Sequence, residues 1–198
     1  MQHQNMPQFD ADIYLPQQTE IDRALHYPYD APSGAFVLDR GQLRPLNDTG
    51  ILAGRTAVLS VGSNRAPVQL QRKFGKDAVV PVTPATLHDC DIVHVAMLGY
   101  YGAVPCTAFP AEGCHVRLNV AWLDASQLAE MHRTEAVGVA YDYVRLSKGA
   151  VSHLQIAEAD GHIVPADTPL FGYSARAGVL DTGNGCLLYT SPSPRDRG

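Results

Sequence analysis

The sequence has no long hydrophobic run and no cluster of lysine and arginine. No apolar stretch approaches the roughly 20 residues that a transmembrane helix requires. Of the 198 residues, 15 are Lys or Arg and 20 are Asp or Glu, so the formal net charge at pH 7 is −5 with His neutral. We therefore expect neither a membrane nor nucleic acid as a partner of this chain. The first residues also lack the basic and apolar segments of a signal peptide.

Cysteine is scarce. The chain has 4 Cys, and no two of them form a Cys-x-x-Cys pair. Three of them, Cys90, Cys106 and Cys114, precede residue 186. These three cysteines, counted without the C-terminal segment that begins at residue 186, are a sparse and odd number. Such a number favours reduced thiols, so we expect a cytoplasmic protein.

The C-terminal segment is unlike the rest of the chain. Residues 186–196, rich in Ser and Pro, match the translation of a transposase-type sequencing adaptor. We therefore expect 186–198 to be an adaptor-derived artefact, with the coding sequence breaking off near Gly185. The remaining length suits a single folded domain over 51–185, truncated at its end, and an N-terminal arm and hairpin over 1–50.

Alternating apolar residues and turn signals predict an α+β protein with a mixed, mainly antiparallel β-barrel or sheet and a few helices. Residues 1–32 are predicted to be irregular. Predicted elements are a hairpin over 35–44, strands over 91–97, 104–109, 115–123 and 141–146, a turn at Glu112-Gly113, and a hairpin over 153–164. The capping-box pattern of Asp124 and Gln127 predicts a helix from about Ala125 to Thr134.

A polar turn joins a predicted strand to a predicted helix near the start of the main domain. The strand covers 56–61, and Gly62, Ser63 and Asn64 follow it. Pro67 suits the first turn of the next helix, and Gly75 suits its end. A turn of this kind presents free backbone N–H groups to an anionic or carbonyl group of a ligand. Taken alone it is equally typical of any tight turn between a strand and a helix.

Glu135 is the candidate proton-transfer residue. In the predicted helix over 125–134, Leu128, Met131 and His132 share one face, and Glu135 continues that face at the C-terminal end. If the carboxyl faces the core, burial and the negative end of the helix dipole disfavour its ionised form. Such a carboxyl accepts a proton and later returns it. An exposed, solvated Glu is the alternative.

Three other kinds of site were weighed. A metal site near His88, Cys90 and His94 lacks a ligand pair with the usual spacing. Cys106 in a strand is more typical of an inert buried thiol than of a nucleophile. Ser63 lacks the second glycine of a nucleophile elbow. We therefore expect no metal and no organic cofactor.

Three stretches together resemble the gamma-glutamylcyclotransferase-like superfamily. They are Gly62-Ser63-Asn64 after a strand, the segment 101–107 with Pro110, Gly113 and the strand 116–123, and the helix end 128–136. Their order and spacing are similar to the family's Gly-Ser-Asn loop, its Gly-(Ile/Val)-Ala-Thr…Pro…Gly…Val-x-Trp stretch and its Leu-x-x-Leu-Asp-x-x-Glu-Gly helix end. The resemblance covers residues 55–146.

The resemblance implies an intramolecular aminolysis, in which the α-amine of a small γ-glutamyl substrate attacks its own γ-carbonyl. The products are 5-oxoproline and a free amine. It implies Glu135 as the catalytic residue and a substrate-binding set of Val61, Gly62, Ser63, Asn64, Tyr101 and Tyr141. The oligomeric state stays open.

Three positions differ from the family pattern. Val61 stands at a usual Tyr, His132 at a usual Asp, and Ala136 at a usual Gly. Because a fold does not fix a function, the alternative is a non-catalytic domain of the same fold that binds a small ligand or a partner.

Overall fold

A computed structural model describes residues 10–100, 102–147, 150–153, 167–181 and 183. Within them the chain forms helices α1 Ala11–Tyr14, α2 Glu20–Leu25, α3 Pro67–Phe74 and α4 Ala125–Thr134, and strands β1 Phe36–Asp39, β2 Gln42–Pro45, β3 Thr56–Ser60, β4 Val79–His94, β5 Cys106–Leu123, β6 Tyr141–Arg145, β7 Val151–His153 and β8 Leu170–Ala175. Two 3-10 turns cover Thr49–Leu52 and Gly62–Arg65. The predicted hairpin over 153–164 lies almost wholly outside the described residues.

The described strands make one mixed sheet, as an α+β protein should have. Seven lie in the order β2-β1-β4-β5-β3-β8-β6, and β7 pairs with β4. The pairs are antiparallel except that of β3 with β8. Because this order leaves β2 and β6 as edges, the described sheet is open, and a closed barrel is not what forms. The hairpin β1–β2 belongs to this sheet through the pairing of β1 with β4.

Both faces of the sheet are covered, which explains the apolar run in β3. Ala57 and Leu59 pack into one core cluster with Val120 and Trp122. Val58 points to the opposite face, because successive side chains of a strand alternate. There it meets a second core cluster, to which α3 contributes Leu70 and α4 contributes Met131. This second cluster holds α3 and α4 against the sheet and so sets the position of their C-terminal ends.

The predicted turn at Glu112-Gly113 is wrong. β5 runs through these residues without reversing and pairs with β4 on both sides of them, over Cys106–Pro110 and His115–Ala121. The register shifts between His88 and Cys90, where Asp89 has a φ of 52° and Gly113 a φ of 74°. The Gly113 N–H donates a 2.9 Å hydrogen bond to Asp89 Oδ1. The glycine therefore serves a bulge in a long hairpin, a use that its sequence signal shares with a turn.

The N-terminal arm is also more regular than predicted. Asp10 caps α1, and Thr19 and Asp22 form a reciprocal capping box at the start of α2. Both helices are short, and neither buries a residue of its own. Their amphipathic signal is accordingly weak, and only the caps predict them. Among the described residues, none of the helices is long and apolar enough to cross a membrane.

Candidate functional site

The turn after β3 is built around a glycine that has no room for a side chain. Gly62 has a φ of 71°, and an added Cβ would lie 2.5 Å from Tyr27 Oη and 2.7 Å from Cys106 Sγ. Only glycine suits such a close approach at positive φ. The turn places Ser63 and Asn64 at the foot of α3, both nearly buried. The predicted loop thus forms, and the reason for its glycine is packing against the N-terminal segment.

The end of α4 turns Glu135 towards this loop. Glu135 is the last residue with helical backbone angles, and Ala136 follows with a φ of 48°. A left-handed residue after the last turn is a common helix ending, usually supplied by glycine. Ala136 occupies that conformation although it carries a Cβ.

Glu135 meets two donors from elements far away in sequence. Asn64 Nδ2 donates a 3.0 Å hydrogen bond to Glu135 Oε1. The Lys73 ammonium of α3 forms an ion pair with the same oxygen and also contacts Met131 Sδ at 3.2 Å. The side chains of Lys73 and Glu135 are 6% and 14% exposed. A cation and an amide donor are the partners that stabilise a charged carboxylate in a protein interior.

A cavity of about 460 Å³ contains this group. Five of the sequence-predicted site residues line it: Val61, Ser63, Asn64, Glu135 and Tyr141. Its wall also carries further charged side chains, namely Arg23, Arg72, Lys73, Glu130 and Arg133. Because so many charged groups line this cavity, a small polar ligand suits it better than an apolar one.

Of the predicted site residues that the structure describes, Gly62 alone lies outside this cavity. Gly62 lines a separate, larger cavity of about 1030 Å³ beside the N-terminal segment. Tyr101 is outside the described residues. The structure therefore brings together the carboxylate and the polar part of the turn, with the glycine behind them.

Two groups at the wall stay neutral near pH 7. Burial raises the pKa of Cys106 to about 11, although the Tyr27 hydroxyl and the charge of Arg65 act in the opposite direction. Burial also raises the pKa of Tyr173, and the nearby charges of Glu135 and Tyr143 add to this effect. A thiol of this kind is a poor nucleophile. Tyr173 remains a phenol, with its Oη 2.9 Å from His132 Nδ1.

The three cysteines that the structure describes, Cys90, Cys106 and Cys114, do not assemble a metal site. Cys90 lies opposite Pro110, midway along the stretch of β5 that runs from Cys106 to Cys114. At about 3.3 Å per residue, Cys106 and Cys114 are more than 20 Å apart. Over the described ranges, no cluster of three or more His, Cys, Asp or Glu side chains is placed to hold a metal ion.

Sequence reasoning did not predict Lys73 as a site residue. It also did not predict the contact between Tyr173 and His132. The available signal for Lys73 was its spacing of three and four residues from the buried Leu70 and Gln69. That spacing is ambiguous, because a lysine often lays its aliphatic stem on a core and keeps its ammonium in water. The Tyr173–His132 contact joins positions 41 residues apart, which no local pattern encodes.

Comparisons with known proteins give distant likenesses of fold. No protein-family model matches the sequence, and no curated protein matches it. The solution structure of At5g39720.1 from Arabidopsis thaliana is similar at 15% identity with a TM-score of 0.43, over 70% of this chain and 74% of that one. The crystal structure of the uncharacterized protein loc79017 from Homo sapiens is similar at 14% identity with a TM-score of 0.39, over 62% and 70%. Neither likeness bears on the chemistry of the site.

Proposed function

We propose that this chain is a gamma-glutamylcyclotransferase-like enzyme that converts a small γ-glutamyl amide or peptide into 5-oxoproline and a free amine. The proposed enzyme is cytoplasmic and requires no metal or organic cofactor. The observation that carries the proposal is the contact between Glu135 and Asn64 inside one cavity. It joins the two stretches that the sequence resemblance assigns to proton transfer and to substrate binding.

The reaction needs few groups. The α-nitrogen of the substrate forms a bond to its own γ-carbonyl carbon, and the bond from that carbon to the leaving nitrogen breaks. Glu135 accepts a proton from the α-ammonium, which frees the lone pair for attack. The same carboxyl then donates that proton to the leaving nitrogen. The attacking nitrogen loses a second proton as it becomes the lactam N–H, and the released amine takes up this proton and leaves as an ammonium ion. The cavity contributes by holding the γ-glutamyl group folded back on itself, which makes the attack intramolecular.

The test is product identity across a panel of γ-glutamyl dipeptides and γ-glutamyl amines. We expect 5-oxoproline and one equivalent of free amine from at least one substrate. The matched control is the same substrate with its α-amine acetylated, which has no nucleophile and should give no product.

Two results would contradict the proposal. Release of glutamate in place of 5-oxoproline, or turnover of the acetylated substrate, would indicate hydrolysis. Silence of the folded protein across the panel, together with calorimetric binding of the same compounds, would favour the non-catalytic ligand-binding domain.

A further inference from the structure

The two oxygens of the Glu135 carboxylate have different surroundings. Both donors, Asn64 Nδ2 and Lys73 Nζ, contact Oε1. In the described structure, Oε2 accepts no hydrogen bond, and it is not fully buried. Oε2 is therefore open to solvent in the cavity. One oxygen is held in place, and the other is presented to whatever occupies the cavity.

From this asymmetry we infer that Lys73 is a positioning residue that holds Oε1 of Glu135 and so directs Oε2 into the cavity. The inference rests on the proposed function, in which Oε2 is the oxygen that exchanges the proton. Lys73 does not touch the reacting atoms in this scheme. It acts through Glu135, and Asn64 assists as the second donor on the held oxygen.

Lys73 is the group whose charge matters most for Glu135. Three titratable groups from other elements face the carboxylate: Lys73 of α3, Cys106 of β5 and Tyr173 of β8. The raised pKa values of Cys106 and Tyr173 leave both neutral near pH 7. Lys73 is then the facing group that carries a charge.

Three of the four other charged groups on the described cavity wall, namely Arg72, Glu130 and Arg133, are balanced or engaged elsewhere. On α4, Glu130 and Arg133 form an ion pair with each other. Arg72 donates to Gln69 Oε1 at 3.1 Å and lies over the Tyr29 ring at 5.1 Å. Within the part of the chain that is described, Lys73 is the cation that contacts Glu135 directly.

The test separates charge from hydrogen bonding with three substitutions of Lys73. Lys73→Arg keeps the charge and the donors, Lys73→Gln keeps a donor without charge, and Lys73→Met keeps neither. The chain has 5 Glu, so selective ¹³C labelling of the glutamate side-chain carboxyls gives few NMR signals. The signal of Glu135 is the one that disappears in Glu135→Gln, and its chemical shift is compared among the variants at one neutral pH.

We expect the carboxyl signal of Glu135 to move in Lys73→Met and Lys73→Gln, because an adjacent cation no longer holds Oε1. Lys73→Arg should keep the wild-type signal position. On a substrate that turns over, kcat should fall by up to about 100-fold in Lys73→Met and recover in Lys73→Arg, with little change in KM. Should Lys73→Met fail to fold, Lys73→Gln against Lys73→Arg gives the same comparison.

An unchanged Glu135 carboxyl signal in Lys73→Met would overturn the inference. So would a loss of activity in Lys73→Arg as large as that in Lys73→Met, since that pattern is typical of a purely structural role. The NMR comparison requires no turnover. A wild-type protein that is silent on the substrate panel therefore contradicts the proposed function alone.

Discussion

The two ends of α4 are stabilised in different ways. At its N-terminal end, Asp124 and Gln127 cap each other within a single turn. At its C-terminal end, Glu135 depends on Asn64 and Lys73, which precede it by 71 and 62 residues. The cap of the first end is complete within four residues, although Arg55 and Val79 also contact Gln127. The contacts of the second end form only when α3, the turn and α4 are all docked. The end that requires the complete fold is the end that carries the candidate chemistry.

The largest loss of stability should come from removing the cation at the C-terminal end. Lys73→Met leaves a nearly buried carboxylate without a counter-charge, and we expect the free energy of unfolding to fall by about 3 kcal/mol. This value is at the low end for a broken buried pair because Oε2 still reaches the cavity. Urea denaturation measures the change.

A double variant is the control for this prediction. Lys73→Met combined with Glu135→Gln removes both charges, so it should recover a large part of the lost stability. A double variant as unstable as the sum of the two single ones would show that the ion pair is not the cause.

Filling the space behind the turn should have the next largest effect. Gly62→Ala puts a methyl group against Tyr27 and Cys106 at a positive φ, and we expect a loss of about 2 kcal/mol in the free energy of unfolding. Gly54→Ala is the matched control, since Gly54 has a φ of 73° with no atom within 4 Å of the added Cβ. Equal losses in the two variants would show that backbone strain alone, without crowding, explains the result.

Weakening the N-terminal end of α4 should cost less. Asp124→Ala removes the 2.9 Å hydrogen bond from the Gln127 N–H, and we expect a loss of about 1 kcal/mol. Although burial acts in the opposite direction, hydrogen bonds from Gln127 and Ser126 lower the pKa of Asp124. Its contribution is therefore present above its unfolded-state pKa and is lost as the pH falls through the folded-state value.

The pH dependence provides the check on the cap. The difference in urea midpoint between wild type and Asp124→Ala should shrink as the solution is acidified below the normal titration range of aspartate. A difference that grows in acid would contradict the role assigned to the carboxylate.

The smallest effect should be a gain at the opposite end of the helix. Ala136→Gly relieves a left-handed alanine, and we expect the free energy of unfolding to rise by about 0.5 kcal/mol, because part of the relief is offset by the entropy of the unfolded chain. The same change at Ala129, exposed in the middle of α4, should destabilise by about 1 kcal/mol. Changes of the same sign in thermal or urea unfolding would contradict the assigned backbone conformation.

Local signals account for the elements that the sequence analysis predicts correctly. The caps of α4, Pro67 and Gly75 around α3, and the apolar run of β3 all act within a few residues. The errors come from signals with two meanings. Gly113 with a positive φ serves a bulge as well as it would serve a turn, and the short helices of the N-terminal segment have caps without an apolar face.

The candidate site is predictable only in part for a related reason. Glu135 and Asn64 belong to the stretches that carry the sequence resemblance, so the sequence analysis predicts both as site residues. Lys73 belongs to no motif, and its contact with Glu135 depends on the packing of α3 against α4. The domain boundaries at 50 and 185, the artefactual origin of 186–198 and the role of Tyr101 stay predictions.

The most direct test of the account is the rate of 5-oxoproline release by Glu135→Gln, measured on the γ-glutamyl substrate that the wild type turns over fastest. Glu112→Gln, an exposed glutamate on β5, is the matched control and should stay within about twofold of wild type. Since general acid–base catalysis contributes about 10²- to 10⁴-fold, we expect kcat of Glu135→Gln to fall by at least about 100-fold. A folded Glu135→Gln variant that keeps the wild-type rate would show that the reaction does not use this carboxylate.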